Sequence, residues 1–264
     1  MTYPHRPGDR GAATPLSTFA PQPWTVRKST EYGTRALPMR RYEITALTPD
    51  GDYVDDILRG PAHPAFESAF AALARGTLLS TEHGPMAVED LQPGIWIETR
   101  DNGLQMLVWR GAMTLIPRAD DTTGRACLYR IPMDAFGPQR PMPDLVLGPY
   151  ARLVTRNPAL ADLVGRDSAL VPLPVFEDGH NVIRVTPASP VTVYHLAFAR
   201  HQIISVNGLD IDSMHPGGEL AGQLTDETLR LFLSLFPHAA QPGRFGPLAL
   251  PRISEDAWHG VRAA

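Results

Sequence analysis

The chain has 264 residues, of which 43% are hydrophobic and 20% charged, and its formal net charge is −4 at pH 7. This composition is typical of a globular protein with a sizeable core. Because the chain is net negative and its arginines are scattered, it lacks the basic surface that neutralises phosphates, and we expect no nucleic-acid partner. The 27 prolines and 22 glycines interrupt the sequence too often for long helices, which predicts a mainly β protein.

The sequence carries no sign of export or of membrane insertion. Its first residues hold no apolar segment of signal-peptide length, and the longest apolar run, Leu229 to Phe236, is too short to span a bilayer. Cys127 is the single cysteine, so no intrachain disulfide can form. We therefore expect a cytoplasmic protein that makes no membrane contact.

The N-terminal part of the chain divides into three predicted segments. Residues 1–38 are rich in Pro, Arg, Ser and Thr without periodicity, which predicts a flexible or extended arm. Arg40 to Ile57 alternates around the turn Pro49-Asp50-Gly51-Asp52 and predicts a hairpin. A helix should follow from Pro64 to a stop at Gly76. Its apolar stripe consists of Phe66, Ala69, Phe70 and Leu73.

The middle of the chain predicts a series of short strands separated by turn signals such as Asp101-Asn102-Gly103. We place them at 77–81, 86–89, 95–99, 105–110, 126–132, 144–147, 151–155, 182–186, 191–198 and 201–206.

A second helix is predicted from Asp226 to Phe236, capped by Thr225 and stopped by Pro237. The tail beyond it alternates Pro with large apolar residues and predicts an extended cover packed on the domain. The expected organisation is thus an arm (1–38), a hairpin plus helix (39–75), a β domain (76–217), and a C-terminal helix with a proline-rich cover (218–264).

Three separated segments resemble the Hint domain, the Hedgehog/intein self-cleaving module. The first runs from Gly76 to Gly94 and includes the elbow Val88-Glu89-Asp90-Leu91 before Pro93-Gly94. The second, Asp144 to Arg152, is similar to a segment that reads Ser-Pro-x-His-Arg in bacterial Hint proteins. The third, Val193 to Gly217, resembles the closing strands. The resemblance implies a mainly β, Hint-like horseshoe of short strands with a few peripheral helices, in a bacterial protein.

The residues that would perform self-cleavage in this family are replaced here. The family's first step transfers an acyl group to a Cys four residues before the Gly-Thr pair, with help from an imidazole. On the alignment that the resemblance implies, Ala72 stands in place of the Cys and Ala151 in place of the His. Asp212-Ser213 stand in place of the terminal His-Asn of inteins. No slip of register rescues a nucleophile, because residues 69–75 contain no Ser, Thr or Cys. A scissile bond inside the predicted helix would also be held planar and hydrogen-bonded.

The resemblance therefore implies a vestigial pocket with no catalytic residue. We place it at Ala72, Gly76, Thr77, Ala151, Arg152, His195, His201, Asp212 and Ser213.

Two further groups are weighed against ordinary structural roles. Cys127 lies on a β pattern near Arg125 and Arg130 alone, and we interpret it as a core thiol. His195 and His201 suggest a metal site, but six residues of straight strand span about 20 Å. They could share one ion only across a sharp bend, so we predict no metal and no cofactor.

The leading functional hypothesis is a degenerate, non-enzymatic Hint domain that acts as a structural or interaction module with an unidentified protein partner. One alternative is an active self-cleaving protein that uses His201 or Asp212 as acid or base. The other is a subunit of a larger particle, docked through residues 1–38.

Overall fold

The computed structural model describes residues 38–117, 126–218, 220–239 and 245–263. Nearly all of the predicted N-terminal arm, residues 1–37, and Arg125 lie outside the described residues. The described chain is mainly β, as the sequence predicts, with short helices at its margins. None of the helices among these residues is long and apolar enough to cross a membrane.

The strands number fifteen within the described ranges and form one extended antiparallel sheet. They are β1 (Met39–Leu47), β2 (Tyr53–Pro61), β3 (Leu73–Ala74), β4 (Leu78–Thr81), β5 (Gly84–Ala87), β6 (Trp96–Thr99), β7 (Gly103–Leu115), β8 (Leu128–Ile131), β9 (Leu145–Leu147), β10 (Arg152–Arg156), β11 (Ser168–Pro172), β12 (Ile183–Val185), β13 (Val191–Phe198), β14 (Ile203–Val206) and β15 (Leu209–Asp212).

The helices are α1 (Pro64–Ser68), α2 (Leu160–Val164), α3 (Leu220–Gln223), α4 (Asp226–Ser234) and α5 (Glu255–Ala263). Short 3₁₀ segments lie at Val88–Asp90, Leu173–Phe176 and Pro237–Ala239.

The long strand β7 joins the two halves of the sheet. Its first residues pair with β6, and its remainder pairs with β13 on one side and with β1 on the other. The strand order from one edge is β11-β10-β15-β14-β4-β6-β7-β13-β3-β9-β8-β12, with the β1–β2 hairpin attached through β7. A chain segment that passes through both halves fixes their mutual register.

The two largest hydrophobic clusters of the described residues pack against this sheet. One lies between the strands that carry Leu73, Leu147 and Leu196. The other is aromatic and lies between the hairpin, α1 and α4. Within it the Phe70 and Trp109 rings are 5.3 Å apart, and Trp109 Nε1–H donates to the Leu235 carbonyl at 2.8 Å. Helix α4 therefore closes the aromatic cluster.

The helix predicted from Pro64 to Gly76 is wrong beyond its first turn. Helix α1 ends at Ser68, and Leu73–Ala74 form a strand that pairs with β13 and β9. The amide of Ala72 bonds to the Tyr194 carbonyl on β13 rather than to a helical carbonyl. Helix propensity is a weak local preference, and pairing with two buried strands outweighs it.

Five other elements differ from the predictions. Strands β11 and β15 and helices α2 and α3 were not expected, and the C-terminal tail contains helix α5 where an extended cover was predicted. Ser254 lies at the start of α5, where its hydroxyl accepts from the Ala257 amide, and Trp258 is 5% exposed. The helix forms because its cap and its buried tryptophan act together.

Candidate functional site

The peptide bond before Ala72 lies immediately before β3, and both of its polar groups are hydrogen-bonded. The Ala71 carbonyl accepts from the Tyr150 amide at 3.1 Å, and the Ala72 amide donates to the Tyr194 carbonyl at 3.1 Å. The Ala72 carbonyl accepts from the Gly148 amide at 2.8 Å. Both alanines are at most 1% exposed. Backbone hydrogen bonds to Tyr150 and Tyr194 therefore hold this bond, whereas the predicted helix around it was wrong.

The hydroxyl groups nearest to this bond in the sequence donate hydrogen bonds to backbone carbonyls three residues earlier. The Thr77 hydroxyl donates to the Ala74 carbonyl at 2.7 Å, and the Ser68 hydroxyl donates to the Ala65 carbonyl at 3.2 Å. The Gly76 amide donates to Glu89 at 2.8 Å. Gly76 and Thr77, which the sequence placed in the pocket, thus stabilise the turn after β3.

The other predicted pocket residues gather around a buried carboxylate, Asp212, at the end of β15. Its Oδ2 lies 2.9 Å from Arg252 Nη2, 3.8 Å from Arg152 Nη1 and 3.7 Å from His201 Nε2. The Asp212 side chain is fully buried, and its Oδ1 has no hydrogen-bond partner among the described residues. We call Arg152, His195, His201, Asp212 and Arg252 the Asp212 cluster.

The charges of the cluster hold Asp212 ionised. Burial by itself would raise the pKa of this carboxyl group. The His201 ring and the two guanidinium groups outweigh burial and lower the pKa below its ordinary range. A buried carboxylate of this kind is stable only while its cations stay in place.

His201 is fixed in one tautomer by its neighbours. Its Nδ1 accepts from the Ala249 amide at 2.9 Å, so the proton resides on Nε2, which donates to the Ser213 carbonyl at 3.1 Å. The Ser213 hydroxyl in turn accepts from the Gln202 amide at 2.9 Å. Both ring nitrogens of His201 are therefore engaged in structural hydrogen bonds.

His195 is buried on β13 and has no hydrogen-bond partner for either ring nitrogen among the described residues. Burial lowers its pKa to about 4, and the attraction of Asp212 offsets only part of that effect. His195 is thus a neutral imidazole at pH 7. The chain bends at Ala199 and Arg200, and this bend brings His195 and His201 to the same carboxylate. The described residues nevertheless contain no group of three or more His, Cys, Asp or Glu side chains placed to hold a metal ion.

Ala151 lies next to the cluster and forms part of a cavity wall. The cavity has a volume of about 380 Å³ and is also lined by Cys127, Tyr129, Arg152 and Arg184. Cys127 is 2% exposed, and burial raises the pKa of its thiol although Arg184 acts in the opposite direction. Cys127 is therefore a buried, protonated thiol.

The sequence did not indicate Arg252, the C-terminal member of the Asp212 cluster, or Ala249, whose amide donates to His201. Residues 249–253 run alongside β11, where the Leu170 amide donates to the Pro251 carbonyl at 2.8 Å. This pairing positions Arg252 over Asp212. A single arginine in a proline-rich tail gives no local signal of such a role.

The described chain is mainly β, and its sheet brings the Ala71–Ala72 peptide bond, the segment 148–152 and strands β13 to β15 together. A family model described as Hint domain matches residues 71–218, more than half of the chain. The chain belongs to the Hint domain family. No curated protein matches it. The matched region begins one residue before Ala72 and ends before the segment that carries Arg252.

Proposed function

We propose that this protein is a Hint domain that does not cleave itself and that acts as a structural or interaction module in the cytoplasm of a bacterial cell. The observation that carries the proposal is the peptide bond between Ala71 and Ala72. It is buried, hydrogen-bonded on both sides, and followed by a methyl group where an acyl acceptor would be needed.

The surroundings of that bond support the same proposal. In the resemblance, Gly148 stands where the family segment has Ser and Ala151 where it has His. A Cβ atom at Gly148 would lie 2.3 Å from the Ala71 carbonyl oxygen, closer than real contacts allow. Because Gly148 has no Cβ, residues 148–150 can pack directly against the Ala71–Ala72 peptide bond. Ala151 supplies no proton donor.

The alternative of an active protein with His201 or Asp212 as acid or base is less well supported. His201 makes hydrogen bonds through both ring nitrogens, and Asp212 is paired with Arg252 from the C-terminal segment. A general acid or base needs a free position directed at the reacting group. Neither ring nitrogen of His201 is free. Asp212 has one oxygen, Oδ1, without a partner among the described residues, but its neighbours lower the pKa of this buried carboxyl group, which makes it a weak base.

Intact-mass measurement of the purified full chain tests the proposal. After incubation with excess dithiothreitol and, separately, with hydroxylamine, we expect one species of 28.9 kDa. Both nucleophiles would release an acyl intermediate if one formed. Two fragments divided at the bond before Ala72 would refute the proposal.

A matched pair of variants tests the assignment of the lost groups. We expect thiol-induced cleavage before residue 72 in the double variant Ala72→Cys, Ala151→His, because it restores the acyl acceptor and the imidazole. The control Ala74→Cys, Ala151→His places the same two groups with the thiol two residues downstream on the buried strand, and it should stay whole. Cleavage of the control would contradict the assignment, whereas an intact double variant would mean that the buried, hydrogen-bonded state of the bond prevents cleavage even when both groups are present.

A further inference from the structure

Strand β2 is an edge strand with a defined set of outward backbone groups. Among the described residues it pairs with β1 alone. The Thr48 amide bonds to the Asp52 carbonyl at 2.9 Å and the Ala62 amide to the Pro38 carbonyl at 2.7 Å. These bonds at the two ends fix the ladder, so the even-numbered residues of β2 direct their N–H and C=O groups at β1. The odd-numbered residues direct theirs at the free edge. They are Tyr53, Asp55, Ile57 and Arg59.

The side chains of the same residues are exposed and lie on one face of the sheet. Tyr53 is 53% exposed and Ile57 49%, which is high for apolar residues at a strand edge. Asp55 and Arg59 form no ion pair with the described residues. Arg59 instead lies directly opposite Arg41 on β1, so its charge faces a like charge. Within the described ranges, this edge thus has no second neighbouring strand, exposed apolar side chains and an arginine without an ion pair.

The order of these residues makes the edge complementary to itself. If a second β2 approaches antiparallel with Ile57 opposite Ile57, then Asp55 lies opposite Arg59 at both ends of the pair. Cα atoms of such hydrogen-bonded pairs are about 5.5 Å apart, which brings opposite charges into contact. Centring the pair on Asp55 or Asp56 would place like carboxylates together. Pro61, which has no N–H, then lies at the end of the pair, opposite Tyr53.

We infer that this protein forms a two-fold symmetric dimer in which the β2 strands of two copies pair antiparallel about Ile57. The two sheets become continuous through about six backbone hydrogen bonds and two Asp55–Arg59 ion pairs. Each partner's Asp55 also neutralises the Arg59 that faces Arg41.

Asp56 regulates how readily the edge pairs. In the single chain its Oδ1 accepts a hydrogen bond from the Ile57 amide at 2.7 Å, which satisfies the central outward donor. Dimer formation exchanges this bond for one to the partner's carbonyl. Asp56 therefore weakens the pairing without blocking it.

The inference goes beyond the proposed function, because pairing of β2 involves neither Ala72 nor cleavage. Its test measures whether the protein is a monomer or a dimer in solution, whereas self-cleavage is tested by the mass of the polypeptide chain. The two can therefore fail separately.

Sedimentation equilibrium of the full chain, with Asp55→Arg, Arg59→Asp and the double variant, tests the inference. The parent should show a concentration-dependent dimer. Each single variant puts two like-charge pairs in the interface and should raise the dimer dissociation constant at least about tenfold. The double variant restores opposite charges and should recover the parent value. Because all of these side chains are exposed, folding should be unaffected, and circular dichroism checks this.

Two more variants complete the experiment. Asp50→Arg changes the charge of the hairpin equally but lies in the turn, and it should leave the dissociation constant unchanged. Asp56→Ala removes the competing acceptor and should tighten the dimer. A parent that stays monomeric at the highest concentration, single variants that dimerise as the parent does, or a double variant that fails to recover would each overturn the inference.

Discussion

The ion pair between Arg252 and Asp212 shows how one contact can decide the stability of the Asp212 cluster. The carboxylate is fully buried, and Arg252 is its closest cation. The second guanidinium, that of Arg152, is 3.8 Å away and only partly compensates. Loss of one partner from a buried ion pair leaves an uncompensated charge, which costs far more than the pair contributes while intact.

Arg252→Met should therefore destabilise the protein by about 3 kcal/mol. Methionine keeps much of the apolar length of the side chain, so the loss reports on the charge. The measurement is urea unfolding at pH 7.5. Arg156→Met serves as the control, because Arg156 and its partner Asp167 are 80% and 58% exposed and such surface pairs contribute about 0–1 kcal/mol. Equal effects of the two substitutions would contradict this account of Asp212.

At the level of single residues, the sequence places several members of the Asp212 cluster in the segments that resemble the family. Arg152, His195, His201 and Asp212 were all expected there, and the structure groups them. Arg252 could not be expected, since nothing in its neighbours along the chain indicates a parallel pairing with β11. Contacts between segments far apart in sequence depend on the whole fold rather than on local pattern.

Among the elements, the segment from Gly148 to Tyr150 holds the Ala71–Ala72 peptide bond in place. It donates two backbone hydrogen bonds to Ala71 and Ala72, and the absence of a Cβ at Gly148 permits the approach. The obstacle to a larger residue is a backbone oxygen, which cannot move aside as a flexible side chain can.

Gly148→Ala should accordingly cost about 3 kcal/mol, at the upper end of the usual cost of overpacking. The new methyl group would push residues 148–150 away from Ala71 and break both hydrogen bonds. Urea unfolding measures the cost, and hydrogen exchange should show faster exchange at the Gly148 and Tyr150 amides. Gly222→Ala in α3 is the control, because a Cβ there meets no atom within 4 Å and alanine favours helix. A fully stable Gly148→Ala protein would contradict the close approach.

The strands and helices were predictable where local pattern and packing agree. The hairpin, α4 with its Thr225 cap, and most central strands were expected close to their observed bounds. Helix α1 was overextended because the stripe formed by Phe66, Ala69, Phe70 and Leu73 suits a helix as well as a bent, buried chain. Strand β15 was missed, since Leu209 to Asp212 is too short to show alternation beside the Asn207-Gly208 turn.

On the scale of the whole molecule, buried histidines make stability depend on pH. Burial lowers the pKa values of His195, His215 and His238 to about 4 each. A histidine of the unfolded chain titrates near 6.5, so the unfolded chain binds more protons below that pH. The free energy of unfolding is therefore at its full value above about pH 6.5 and decreases as the pH falls toward 4. Below about pH 4 these histidines cause no further decrease. Asp212, whose pKa is lowered, acts in a separate range, because its stabilisation is lost only as the pH falls below about 4.

His195→Gln should remove the contribution of one of these three histidines to the pH dependence. A fully buried neutral histidine costs about 2 kcal/mol at pH 5 relative to pH 7.5. The difference in unfolding free energy between those two pH values should therefore shrink by about 2 kcal/mol in the variant. Comparing each variant with itself at two pH values cancels any constant cost of the substitution. His83→Gln is the control, because 69% of the His83 side chain is exposed, and its pH difference should equal that of the parent. If the pH difference in the free energy of unfolding is the same in His195→Gln as in the parent, the His195 imidazole is accessible to solvent. The sheet beside Asp212 would then be open to water.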